Sequence, residues 1–278
     1  MTDIGESQIG EVPESALIEF LGLPSQVLVG QKISKKALIE MGVSGRVGKK
    51  LVQELIGELL WTASIKSSNT GLPGSKDAES STYEIEVLVG RLRSETSRPS
   101  MIKDLTTQIH RSIPYPMLLV MVGKNGWIEL SMSTPPVISA NAPQGLPINQ
   151  IFTVRLADEM LEQIQNQTFP NFFQLGMLPR FSVSEFYISW FDRLLAYAIS
   201  LRTGVLSPSK SIAETVLRLE ALLLSISFES QISVLKIKAE KTKQIKVRSD
   251  INIQLRDLTI KFNEYQRLLF ATNSARMD

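Results

Sequence analysis

Glu84 and Glu86 stand two residues apart in YEIEVLVGRLR, the spacing that puts both carboxylates on one face of a strand. Two such groups can hold a divalent metal as in nucleases, with Asp77 as a third ligand and Lys66 as a nearby cation. The Glu-x-Lys order used by many nuclease cores is missing, because Val87 and Leu88 follow Glu86. The simpler expectation is structural. Tyr83, Ile85, Val87 and Val89 face a core, and Glu84 and Glu86 lie on the wet face of a sheet.

Other chemistries are removed by residue counts. With no cysteine in 278 residues there is no disulfide, thiol nucleophile, iron–sulfur cluster or thiolate zinc site. The single histidine, His110, excludes metal motifs that need two. No GxSxG elbow presents a serine to it, so His110 is expected at a helix end or on the surface. GVSGRVGKK, Gly42 to Lys50, invites comparison with a phosphate loop. It fails at Val43, where the first glycine belongs, and at Lys50, where Ser or Thr belongs. No metal or cofactor is expected.

Clustered cations are the remaining chemical feature. The net charge is only +2, yet residues 1–30 carry five acids and no base. Gln31 to Lys50 holds Lys32, Lys35, Lys36, Arg46, Lys49 and Lys50 against Glu40. Lys236 to Arg248 holds Lys236, Lys238, Lys241, Lys243, Lys246 and Arg248 against Glu240. Both are candidate phosphate contacts for nucleic acid, and solvated helix faces are the plainer alternative.

These residues must be positioned by elements that the pattern also suggests. Residues 1–12 read as disordered. PESALIEFLGLP reads as a short helix, and SKKALIEMG as a second with Ser34 as cap and Gly42 as stop. A third runs from Ser44 to about Leu60, with Val47, Leu51, Leu55 and Leu59 on one face. Joined by Gly42-Val43-Ser44, the last two fit a helix-turn-helix. Strands follow at WTASIK and YEIEVLVGRLR, then a helix around Met101 to His110. Asn125-Gly126 turns a hairpin between the PMLLVMV and WIELSMS strands, and INQIFTVRL returns as another. Residues 158–203 are helical around PNFFQLGMLPRFS, whose aromatics are expected on the sheet. Ser184 caps a helix with Phe186, Trp190, Phe191, Leu194, Tyr197 and Leu201 on its apolar face.

After Pro208, seventy residues contain no Gly or Pro, which predicts long helix. Val216, Leu219, Leu223 and Ile226 keep an a/d spacing. Ile251, Leu255, Leu258, Phe262, Tyr265 and Leu269 do so again, as a helical hairpin or an extended coiled coil through which the chain would self-associate. The organisation is therefore a 1–12 tail, a 13–208 body and a 209–278 helical segment. The fold class is α+β, a small mixed or antiparallel sheet with flanking helices and a long C-terminal helical or coiled-coil segment. The N-terminus lacks a basic and an apolar signal region, and the charge-free stretch Leu130 to Val154 holds four prolines. A cytoplasmic protein without membrane spans is expected.

KISKKALIE, LLWTASIKSSNT, YEIEVLVGRLR, SIPYPMLLVM and KTKQIKVRSDINIQLRDLTIKF occur in an order that resembles the prokaryotic domain-of-unknown-function family number 4391, across residues 32–262. That resemblance implies a setting near helicase and DNA methyltransferase genes in restriction-like or antiviral loci. It carries no catalytic residue onto this chain. The expectation is a non-catalytic accessory subunit that docks a helicase- or methyltransferase-like partner. Nucleic-acid binding through the basic patches is the first alternative, and a metal-dependent nuclease the second.

Overall fold

Met117–Val122 is buried at every position and Glu84–Leu92 at all but two, so each needs cover on both faces. The two strands form the middle of a six-stranded sheet. In the computed structural model, which describes residues 12–73, 84–93, 98–142, 151–166 and 171–274, the order along the chain is α1 (Glu14–Leu21), β1 (Leu28–Lys32), α2 (Lys35–Met41), α3 (Gly45–Leu55), β2 (Ile56–Lys66), the one-turn α4 (Ser67–Thr70), β3 (Glu84–Leu92), α5 (Pro99–Ser112), β4 (Met117–Val122), β5 (Ile128–Ser133), α6 (Pro136–Ala140), β6 (Ile151–Arg155), α7 (Asp158–Gln165), α8 (Val183–Thr203), α9 (Ile212–Lys241) and α10 (Ile245–Ser274). The fold is α+β.

The strands lie in sequence order, β1 to β6. Only β3 and β4 are parallel, because α5 provides the crossover that a parallel pair requires. All other neighbours are antiparallel, so the sheet is mixed. Alternation along the strands separates two apolar layers. Leu59, Leu88, Leu92, Met117, Leu119 and Met121 share a core with Leu38 of α2, Leu51, Val52 and Leu55 of α3, and Ile102, Leu105 and Ile109 of α5. The alternate set, including Val87, Val89, Leu118, Val120, Leu130 and Phe152, is buried on the opposite side. There Phe152 meets Phe191 of α8 with ring centroids 5.7 Å apart. Phe20 of α1 meets Phe173 at 5.3 Å.

The chain divides into two compact units, Met1–Pro136 with Asn149–Phe191, and Val137–Ile148 with Asp192–Asp278. The first contains the sheet. In the second, α9 and α10 form an antiparallel hairpin joined by Thr242–Gln244. Tyr265 lies against Phe228 with centroids 5.8 Å apart, and Gln266 donates to Ser225 Oγ at 2.7 Å. Thirty residues per helix give arms of about 45 Å. At the start of α9, the buried Asp192 accepts hydrogen bonds from Ser209 N at 2.8 Å, Ser209 Oγ at 2.5 Å and Thr215 Oγ1 at 3.0 Å. The buried Arg218 donates to the same Ser209 hydroxyl at 3.1 Å.

Several expectations are met in detail. Ser34 Oγ accepts from Ala37 N, and Gly126 turns the β4–β5 hairpin with a φ of 81°. Others are corrected. The third helix ends at Leu55, since residues 56–66 pair along the whole of β3 and that pairing overrides a helical spacing that continues to Leu59. Its inner face is Gly48, Leu51, Val52 and Leu55, and Val47 is exposed. β1 was not expected. All five of its positions are exposed at the sheet edge, and a bulge near Gly30, φ 66°, interrupts its pairing. The α8 cap is Ser182, whose Oγ accepts from Glu185 N at 3.2 Å, whereas Ser184 is buried inside the helix. Leu201 is exposed. Residues 1–11, Asp77 and Tyr83 lie outside the described residues. Val12 is buried, and its carbonyl accepts from Arg91 Nη2 at 2.8 Å.

Candidate functional site

The two candidate carboxylates are not on a wet face. Glu84 and Glu86 point to the α5 side of the sheet, and Glu86 is 3% exposed. Opposite them on β2 stand Lys66 and Ser64, in register with Glu84 and Glu86 respectively. Ser64 Oγ lies 2.9 Å from Glu84 Oε1 and 3.2 Å from Glu86 Oε1. Lys66 Nζ is ion-paired with Glu84, and Trp61 Nε1 donates to Glu86 Oε2. A register shift between Trp61 and Ala63 brings the indole to the same face as Ser64 although three residues separate them. Sequence spacing gives no sign of that bulge, so neither Trp61 nor Ser64 was expected at this site.

The electrostatics split the pair. Burial, then the hydrogen bond and charge of Glu84, push the Glu86 carboxyl up to about 7. Burial also acts upward on Glu84, but hydrogen bonds from Glu86, Lys66 and Ser64 outweigh it and hold Glu84 below the usual carboxylate range. The Glu84 bond raises Lys66 in turn. The arrangement favours the proton on the buried Glu86 and the charge on Glu84, which the Lys66 cation anchors at the exposed end. The structure thus gathers Glu84, Glu86 and Lys66. Among the described residues, no group of three or more His, Asp or Glu side chains could hold a metal ion.

His110 lies in the last turn of α5, the helix end expected of it, and its ring is turned inward rather than to solvent. Burial lowers its ring to about 4, so it is neutral, and Nε2 lies 3.0 Å from the Oγ of the fully buried Ser131. Ser131 also lies 3.4 Å from the Leu119 carbonyl. The pair ties α5 to β5.

The two cationic patches differ in how their charges are used. In α2 and α3, Lys35 Nζ donates to the Gln53 carbonyl at 2.9 Å, and burial followed by Arg93 lowers its pKa. Lys36 pairs with Glu40 at 3.9 Å and Lys50 with Glu54 at 3.8 Å. Arg46 and Lys49 are exposed on α3. In the second unit, Lys236, Lys238 and Lys241 end α9, Lys243 lies in the turn, and Lys246 and Arg248 begin α10. All six are exposed, and among the described residues none makes an ion pair. The hairpin folds the run back on itself, so both arms present their cations at one end.

The heptad positions have two outcomes. Ile251, Leu255, Leu258, Phe262, Tyr265 and Leu269 are all buried or half-buried on α10. On α9, Val216 and Leu219 are buried and Leu223 is half-buried, but Ile226 is exposed; Leu222 and Ser225 continue the inner side. Among the described residues no helix is long and apolar enough to cross a membrane.

No curated protein and no solved structure matches the chain. A family model described as a domain of unknown function, DUF4391, matches residues 21–261. With most of its length under that one match, including the sheet, α9 and the first part of α10, the chain belongs to the DUF4391 family.

Proposed function

We propose that this chain is a nucleic-acid-binding accessory subunit, that the cationic end of its α9–α10 hairpin makes the contact, and that a helicase- or methyltransferase-like partner supplies the reactive chemistry. The observation that carries the reading is the contrast between the two patches. Lys35, Lys36 and Lys50 are engaged within α2 and α3, whereas six exposed bases at the hairpin end face a single acid of their own run, Glu240. Concentrated unpaired cations bind phosphates by releasing counterions, and the binding is sequence-independent. The carboxylate pair adds no competing reading, because Glu86 is closed to solvent and its oxygens already have Trp61 and Ser64 as partners.

The test is binding of the full chain to duplex DNA across a salt series. Log affinity should fall linearly with log salt. Lys243→Glu with Lys246→Glu should weaken binding at every salt concentration and flatten that dependence. Binding that ignored both salt and these charges would overturn the proposal.

A further inference from the structure

We infer that Ile245 is an apolar wedge that enters a base step of duplex nucleic acid while the flanking cations hold the phosphates on either side. The inference rests on the binding reading above and adds what the hairpin end does to the duplex. Ile245 is 87% exposed, the highest value among the large hydrophobic side chains described. It is the first residue of α10, directly after the Thr242–Gln244 turn, and so lies at the apex. Its neighbours in the turn and the first helical turn are Lys243, Lys246 and Arg248.

Nothing in the hairpin uses this side chain. The inner side of α10 begins at Ile251, which is 3% exposed, and Ala239 is buried on the other arm. The turn is closed without Ile245: Thr242 N donates to the Ala239 carbonyl at 3.3 Å, Thr242 Oγ1 to the Lys238 carbonyl at 2.7 Å, and Arg248 N to the Gln244 carbonyl at 3.0 Å. A β-branched residue there gains the helix no propensity either. Its side chain is therefore free to meet a molecule outside the chain.

Charge selects the occupant. Lys241, Lys243, Lys246 and Arg248 are exposed around the turn, so the hairpin offers its end to a phosphate backbone. A branched aliphatic side chain between lysines is the composition of an intercalating wedge, Ile245 is the most exposed of those here, and such wedges kink the duplex by about 20–90°. Ile237 and Val247 are also exposed among these cations, at 52% and 38%, so a lipid surface is the competing occupant that the experiment includes.

The full chain is mixed with a random-sequence DNA duplex carrying a donor and an acceptor dye at its two ends. Energy transfer should rise on binding. With Ile245→Ser it should stay at the value of the unbound duplex, with affinity reduced about tenfold and the salt dependence unchanged. Ile245→Phe should restore the bend. Circular dichroism identical to the parent chain checks that the variants are folded, as an 87% exposed position predicts. Binding without bending, or bending that survives Ile245→Ser, would overturn the wedge and leave the binding proposal standing. Preference for phosphatidylserine vesicles over the duplex, dependent on Ile245, would overturn the wedge in favour of a lipid surface. Failure of the parent chain to bind the duplex at low salt would overturn the binding proposal itself, and the wedge with it.

Discussion

Trp61 Nε1 donates a hydrogen bond to Glu86 Oε2, which places an indole directly on the carboxyl that burial raises to about 7. Deprotonation puts a charge against the ring edge. Trp61 emission should therefore titrate near neutrality, measured in a chain with Trp127 and Trp190 replaced by Phe. Glu86→Gln keeps an acceptor for the indole and cannot ionise, so it should abolish that titration. A titration that survived Glu86→Gln would assign it to another group.

Asp192 is the acceptor at the start of the hairpin, with two bonds from Ser209 and one from Thr215. Asp192→Ala leaves the buried Thr215 hydroxyl and the two half-buried Ser209 donors without their acceptor and should cost about 3 kcal/mol. Asp192→Asn retains an oxygen and should cost about half as much. Hydrogen exchange along α9 is the measurement, because global melting of a two-unit chain need not be two-state. Unchanged protection of α9 in Asp192→Ala would remove this carboxylate as an anchor.

The charge variants separate the two patches. Lys49→Glu with Lys50→Glu should leave DNA affinity within about twofold, while Lys243→Glu with Lys246→Glu should lower it by about tenfold or more at moderate salt. Equal losses from both pairs would mean that α3 shares the contact.

The inner and outer faces of α10 should respond differently to truncation. Leu269 is fully buried, and Leu269→Ala should cost about 2–4 kcal/mol. Ile260 is 50% exposed, and Ile260→Ala should stay within about 0.5 kcal/mol. Seam residues that pack within one chain also predict a melting temperature independent of protein concentration. A concentration-dependent one would mean that the seam is shared between copies.

The sequence showed local features better than pairings. The Ser34 cap, the Asn125-Gly126 turn and the α10 seam are each set by residues a few positions apart, and all three are present. β1 and the early end of α3 depend on partners in β2 and β3, far along the chain, and the local pattern misled there. The acid pair shows the same limit. Its two residues were evident from i, i+2 spacing, but the burial of Glu86 depends on the tertiary packing, and its partner Trp61 on a bulge. The basic run was legible as composition. Its concentration at one end of a hairpin required knowing that the helix breaks at Thr242–Gln244.

His110 and Glu86 make opposing demands over nearly the same pH range. Burial lowers His110 from 6.5 to about 4, so its contribution to stability is present above about 6.5 and is lost as pH falls toward 4. Glu86 is raised from 4.5 to about 7, so its contribution is present below about 4.5 and is lost as pH rises toward 7. Between about 4.5 and 6.5 the unfolded chain takes up a proton at His110 that the folded chain refuses, and the folded chain keeps one at Glu86 that the unfolded chain releases. Each effect amounts to about 3 kcal/mol across its window, with opposite sign. Stability of the sheet unit should therefore change little with pH between 5 and 6.5, and each variant should expose the other group. Glu86→Gln should make stability climb with pH through this range, and His110→Gln should make it decline. Denaturant unfolding of both variants at pH 5, 5.5, 6 and 6.5 measures the two slopes, and slopes of the same sign would show that one of these groups is not held as the structure places it.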